Sequence, residues 1–117
     1  MKQWARSWCW LPADLAVGQQ IVELLTPFLL ELLRQGLAQK TLRRHRDNLW
    51  ALGGELIRRR HEDGELARLN PTQILQQLLE DDVGPLLWPR ISESEQDSLD
   101  ATCRKLYRFL QDSKASI

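Results

Sequence analysis

The sequence is poor in several kinds of residue, and each shortage excludes a class of protein. It has two cysteines, Cys9 and Cys103, in 117 residues, too few for the disulfide framework of a small secreted domain. We therefore expect free thiols and a cytoplasmic protein, with a Cys9–Cys103 bridge as the less favoured alternative. The two histidines, His45 and His61, lie far along the chain from both cysteines, so no metal site and no cofactor is expected.

Long hydrophobic runs and strand patterns are also missing. Glu23, Glu31 and Arg34 interrupt the apolar residues around Phe28, so we expect no membrane-spanning helix, signal peptide or membrane partner. β-Branched residues are scattered and do not alternate with polar ones, which argues against a sheet. Leu, Gln, Glu, Arg and Ala dominate instead, and these are helix formers. The sequence therefore predicts a single all-α domain.

Helix caps and apolar spacing divide the chain into a tryptophan-rich N-terminal segment (1–13), a bundle of four main helices (14–112) and a tail (113–117). Capping boxes are predicted where the third and fourth main helices begin, at Asn70 and Ser92. Thr26-Pro27 leaves two alternatives for the first, a new helix beginning at Pro27 or one long helix kinked there. Gly36 is expected to end this region in a left-handed conformation.

The second main helix is predicted to run from about Gln39 to Arg60. Its leucines recur at helical spacing and form one buried stripe, Leu42, Leu49, Leu52 and Leu56. Trp50 stands beside this stripe and is expected in the core. Gly53 and Gly54 should each cost the helix about 1 kcal/mol relative to alanine. We expect a neighbouring helix to approach closely there, where a β-carbon would block it.

The formal net charge of zero hides an uneven distribution. Residues 34–60 contain 8 Lys or Arg against 2 Asp or Glu, residues 61–101 contain 2 against 10, and residues 102–117 contain 4 against 1. Two basic segments therefore flank an acidic one, and such asymmetry creates local fields. There is no glycine-rich phosphate loop, and Tyr107, the single tyrosine, is expected to be a half-buried core aromatic. We expect neither an enzyme nor a small-molecule substrate.

Three stretches combine helix caps with apolar spacing: Gly36-Leu37-Ala38 with Thr41-Leu42, LNPTQILQQLLED and SLDATCRKLYRFL. They resemble, in that order, the first turn and second helix, the third helix and the fourth helix of the SAM-like core-binding domain of tyrosine recombinases and phage integrases. The likeness covers roughly residues 26–112. Ala38 replaces the family's capping serine, the loop from about Asp81 to Ser92 is longer than usual, and the catalytic domain is missing. The resemblance implies a stand-alone, non-enzymatic DNA-binding or DNA-associated protein, for example one from a mobile element.

The same resemblance implies that the second and fourth main helices face double-stranded DNA. The residues that would contact it are Lys40, Thr41, Arg43, Arg44, Arg104, Lys105 and Arg108. The alternative is that these cations belong to solvated helix faces with local ion pairs, such as Arg43 with Asp47 four residues later. The cations from Arg58 to Arg60 are better explained as charges that favour the carboxyl end of their helix.

The tryptophans support a second hypothesis about function. Trp4, Trp8, Trp10 and Trp88 could dock on the protein's own core, or they could anchor a protein partner or a second copy of the chain. In the second case the chain would be an interaction module, for example part of a regulatory or toxin–antitoxin-like complex. The apolar loop Leu86-Leu87-Trp88 is expected to cover an apolar surface in either case.

Overall fold

A computed structural model describes residues 3–79 and 84–115 of the chain. The helices are α1 (Trp4–Ser7), α2 (Asp14–Arg34), α3 (Gln39–Glu62), α4 (Pro71–Leu78) and α5 (Glu93–Ala115), with a 3-10 turn at Leu66–Arg68. The described ranges contain no strand, so the prediction of an all-α bundle with four main helices is confirmed. Helix α5 continues three residues into the predicted tail, and residues 116 and 117 lie outside the described part.

Helix α3 is the centre of the bundle, because it packs against α2, α4 and α5. The core is built from apolar residues at helical spacing, which the amphipathic pattern places on one face of each helix. Its members include Ile21, Leu25, Phe28 and Leu32 of α2, Leu49, Leu52 and Leu56 of α3, Ile74 and Leu75 of α4, and Leu99, Cys103 and Leu106 of α5.

Local sequence signals place the helix ends. Asn70 and Gln73 form the predicted capping box of α4, with each side chain accepting the other's backbone N–H at 2.9 and 3.0 Å. Ser92 and Glu95 form the equivalent pair at the start of α5, at 3.0 Å in both directions. Gly36 has a φ of 70°, the left-handed conformation that only glycine adopts without strain. The sequence therefore fixes these ends through contacts within one turn.

Pro27 lies inside α2, which runs without a break from Asp14 to Arg34. Of the two alternatives, a new helix beginning at Pro27 is therefore wrong. The Thr26 hydroxyl donates to the backbone oxygen of Val22 at 2.6 Å, so Thr26 is an interior helix residue and not a cap. By length and composition α2 could also cross a membrane, and it is the one such helix in the described ranges. Its stripe from Ile21 to Leu32 nevertheless forms part of the bundle core.

The close approach at Gly53 is made by a tryptophan and not by a neighbouring helix. A β-carbon at Gly53 would lie 2.3 Å from Cζ2 of Trp8, and one at Gly54 would lie 3.3 Å from Cδ1 of the same ring. The Trp8 indole also donates to the backbone oxygen of Trp50 at 3.0 Å. The glycines thus make room for a side chain that ties the N-terminal segment to α3.

Two further expectations about tryptophan and leucine are corrected. Trp50 is 45% exposed because it stands on the flank of the α3 stripe, where its indole donates to the Ser7 hydroxyl at 2.8 Å. In the loop before α5, Leu87 is buried but Leu86 and Trp88 are 65% and 48% exposed. The Gln96 side chain accepts the backbone N–H groups of Leu87 and Trp88 at 2.7 and 3.0 Å, which holds the loop against α5.

Candidate anion-binding surface

A buried polar contact fixes the direction and register of α5 against α3. Nδ1 of His45 lies 2.8 Å from the Thr102 hydroxyl, and the Asn48 amide donates to that hydroxyl at 2.8 Å and to the Ser98 backbone oxygen at 3.0 Å. Residue numbers rise along α3 while they fall along α5, so the two helices are antiparallel. The first turns of α3 therefore lie beside the second half of α5.

This arrangement brings the first part of the 34–60 basic segment and the 102–117 basic segment to the same end of the molecule. We call Lys40, Arg43, Arg44, Lys105 and Arg108 the basic end. All five side chains are exposed. Of the other two predicted contact residues, Arg104 of α5 is exposed and Thr41 of α3 is half-buried.

The pKa of His45 depends on cations of both α3 and α5, which indicates that both groups of cations lie near this side chain. Burial lowers the pKa of His45, and the positive charges of Lys105 on α5 and Arg44 on α3 lower it further. One cation from each helix therefore acts on the same imidazole. Burial and the nearby positive charges both favour the neutral form of this histidine.

Within the described ranges, the cations of the basic end form no ion pair with a carboxylate. Asp47 does not pair with Arg43 as the local alternative predicts; it accepts from Arg46 at 3.3 and 3.4 Å. No ion pair of the described residues includes Lys40, Arg43, Arg44, Lys105 or Arg108. The charges of these five side chains are therefore not neutralised by direct pairing, although Asp47, Glu95 and Asp97 line a groove with the cations of α3, and Glu31 and Asp112 line another with Lys105 and Arg108.

The α3 dipole adds to this positive field. The first turn of α3 has no acidic residue, and its Ala38 cap has no side-chain hydrogen bond. Cations near a helix amino terminus face the positive end of the dipole, which is unfavourable by about 0.3–1 kcal/mol for each charge. Helix α5 has the ordinary arrangement, with Glu93 and Glu95 in its first turn. Placing Lys40 at the start of α3 thus costs stability that a bound anion would restore.

The groove between α3 and α5 has a volume of about 1100 Å³ and is not uniformly basic. Lys40, Arg43 and Arg44 line it together with Asp47, Glu95 and Asp97, so its charges balance. The groove as a whole therefore does not favour an anion.

The arginines at the other end of α3 have a different environment. Glu55 has a side chain only 2% exposed, and it accepts from Arg58 at 2.7 Å, Arg59 at 2.8 Å and Arg90 at 3.2 Å. Burial raises the pKa of Glu55, but the hydrogen bonds from the three arginines outweigh burial and lower it to about 2. The sequence-based interpretation of Arg58 to Arg60 as helix-end charges missed this carboxylate, which also ties the loop before α5 to α3.

The tryptophans separate into buried and exposed ones. Trp8 is 4% exposed and belongs to the core, so it is removed from the predicted partner surface; Trp4 is half-buried and packs on it at 5.8 Å between ring centroids. Trp10 is 57% exposed and stacks on His61 at 4.6 Å. Trp10 and Trp88 are therefore the two of the four predicted anchors that are exposed.

Asp14 holds the N-terminal segment against α3. Its carboxylate accepts the backbone N–H groups of Trp10 and Leu11, both at 2.9 Å, and lies 2.8 Å from Nε2 of His61. Burial raises the pKa of Asp14, yet these hydrogen bonds outweigh it, so the net effect lowers the pKa. Sequence reasoning identified Asp14 as a helix start but missed this contact, because His61 is 47 residues away.

The described residues contain no cluster of three or more metal-ligating side chains. The Cys9–Cys103 bridge does not form, since both thiols are free. Burial raises the pKa of the Cys103 thiol to about 12, so this cysteine is a core residue and not a nucleophile.

Compared with protein-family models, with curated proteins and with solved structures, the chain has no match. The likeness to the recombinase core-binding domain therefore stays a resemblance of helix order and caps.

Proposed function

We propose that the chain is a non-enzymatic nucleic-acid-binding protein that holds the phosphate backbone of double-stranded DNA at its basic end. The observation that supports this is the antiparallel register of α3 and α5, which brings cations distant in sequence to one end, where none of the ion pairs of the described residues includes them. Phosphate contacts of this kind position a duplex without reading its sequence. The recombinase resemblance points to the same two helices.

The affinity should be modest and sensitive to salt. About five phosphate contacts give a slope of roughly −4 to −5 for the logarithm of the binding constant against the logarithm of salt concentration. The formal net charge is zero, so long-range attraction is weak and the local field of the basic end carries the binding.

Fluorescence anisotropy with a labelled duplex of about 20 base pairs tests the proposal, in NaCl between about 50 and 200 mM. The double variant R43Q/R44Q, and separately K105Q/R108Q, should lose about tenfold or more in affinity at the lower salt. The double variant R6Q/R68Q is the matched control, because it removes two exposed arginines from other parts of the surface. Equal affinities for R43Q/R44Q and R6Q/R68Q would refute the proposal.

A protein-interaction function remains the second candidate, because Trp10, Leu86 and Trp88 are exposed around the second half of α3. Trp10 lies on His61, and Arg90, two residues after Trp88, reaches Glu55. Exposed aromatic residues are typical anchors of interfaces. Sedimentation of the wild type and of W10S/L86S tests this candidate. Self-association that the double variant abolishes would favour it.

A further inference from the structure

A second groove lies between α2 and α3, and its floor is apolar. Leu29 and Leu33 of α2 and Leu42 of α3 line it, in a volume of about 320 Å³. Leu29 and Leu42 are half-buried and pack on the core, whereas Leu33 is 61% exposed. A leucine this exposed contributes little to the bundle itself, so its presence beside two other leucines points to contact with another molecule.

The charged residues that line this groove have one sign. They are Arg43 and Arg46, and the remaining lining residue is Gln39. Arg46 is held by a single exposed contact with Asp47 at 3.3 Å, the kind of surface pair that contributes little. This lining differs from that of the α3–α5 groove, where cations and carboxylates balance. The α2–α3 groove therefore favours a ligand that is apolar on one side and acidic on its flanks.

We infer that the α2–α3 groove binds an acidic amphipathic helix of another protein. Such a helix places leucine-like side chains at positions i, i+3 or i+4 and i+7 on the floor, and carboxylates beside Arg43 and Arg46. Two packed helices present a ridge-and-groove surface that suits a third. A second copy in a two-fold dimer would bring the same two arginines to both sides of one contact, so it is disfavoured. Nucleic acid would leave the leucines unused.

This inference does not depend on the proposed function, although Arg43 borders both surfaces. The test therefore uses Leu33 and Arg46, which are outside the basic end. Leu30 supplies a matched control, since it is 60% exposed, like Leu33 at 61%, but does not line the groove.

The probe is a fluorescein-labelled synthetic helix of about 18 residues, long enough for five turns, with leucines on one face and glutamates elsewhere. A second peptide has lysine in place of every glutamate. The wild type should bind the glutamate peptide, and L33Q should weaken binding by about tenfold while L30Q changes it little. R46E should weaken binding of the glutamate peptide and strengthen binding of the lysine peptide.

Four results would overturn the inference. L33Q and L30Q could have the same affinity, or the wild type could bind both peptides equally. Self-association that L33Q alone abolishes would assign the groove to a second copy of the chain. Loss of duplex binding in L33Q would assign the groove to nucleic acid, whereas duplex binding at the wild-type level keeps the two surfaces separate. Circular dichroism of L33Q should match the wild type, since this side chain is outside the core.

Discussion

Helix α3 carries arginines near both of its ends, and the two groups differ in what surrounds them. Arg58 and Arg59 share the buried carboxylate of Glu55 and lie at the carboxyl end, where the helix dipole favours cations. Arg43 and Arg44 have no ion pair with a carboxylate among the described residues and follow the first turn of the helix, in which Lys40 faces the positive end of the dipole.

This difference separates arginines that stabilise the fold through an ion pair from arginines that form no ion pair among the described residues. Stability alone explains Arg58 and Arg59 in the second half of α3, since they satisfy the buried carboxylate of Glu55, which also holds a loop in place through Arg90. Stability does not explain the first half, because Lys40 opposes the dipole and the neighbouring cations repel each other. Residues that reduce stability without a structural return are where a binding function is expected.

The largest expected effect concerns Glu55, which the arginines at the carboxyl end of α3 share. E55Q removes the charge that Arg58, Arg59 and Arg90 share, and we expect a loss of about 2 kcal/mol in the free energy of unfolding. The partly exposed arginines, at 29%, 33% and 52%, recover some hydration, which keeps the loss below that of a fully buried pair. Urea unfolding at neutral pH measures it.

E62Q is the matched control for this prediction. Glu62 contacts Arg58 on the same helix, but its side chain is 56% exposed, so its removal should cost less than about 1 kcal/mol. If E55Q and E62Q unfold at the same urea concentration, Glu55 is not the anchor that its geometry indicates. Duplex binding should be unchanged in both variants, since neither residue belongs to the basic end.

Local signals in the sequence predicted the helices well, and long-range contacts were predicted poorly. The capping boxes at Asn70 and Ser92 depend on residues three positions apart, so the sequence contains the whole signal. The residue that fills the space over Gly53 is Trp8, 45 positions earlier, and no periodicity connects the two. The position of Trp50 beside Leu49 predicts a core residue, yet one position turns a helical side chain by about 100°.

The candidate site shows the same limit. Uneven charge along the chain and the recombinase resemblance identified the cations of α3 and α5, but their convergence depends on the contact of His45 with Thr102, 57 residues apart. The Glu55 cluster was missed because Arg90 comes from a loop 35 residues away. The α2–α3 groove was missed because its floor combines Leu29 and Leu33 of one helix with Leu42 of another, and no spacing along the chain connects them.

A smaller effect on stability is expected from His45 at the amino end of α3. Its pKa is lowered by burial and then by Lys105 and Arg44. The unfolded chain binds a proton near the ordinary value of 6.5, whereas the folded chain binds it only at lower pH. The unfolded state thus holds more protons below pH 6.5, so the free energy of unfolding should decrease as the pH falls from there through the folded pKa. Above that range the imidazole is neutral in both states and the effect vanishes.

Proton NMR titration of His45 measures this pKa directly, with H45Q to assign the resonance. K105Q should raise the pKa, because it removes the positive charge of α5 that lowers the pKa of His45. Adding duplex should raise it as well, since phosphates neutralise the same cations. An unchanged titration in K105Q would mean that α3 and α5 do not converge at His45 and would remove the basis of the basic end.

The smallest effect has the opposite sign and concerns the first turn of α3. K40E places a carboxylate at the positive end of the dipole and four residues before Arg44, where it can form a favourable helical pair. We expect the free energy of unfolding to rise by about 0.5–1 kcal/mol, while duplex binding weakens. K40Q separates loss of the cation from gain of the anion, and its gain should be intermediate. A K40E protein that is less stable than the wild type would show that Lys40 has a structural partner, and the contrast between the two ends of α3 would then lose its meaning, because both groups of cations would be accounted for by the fold.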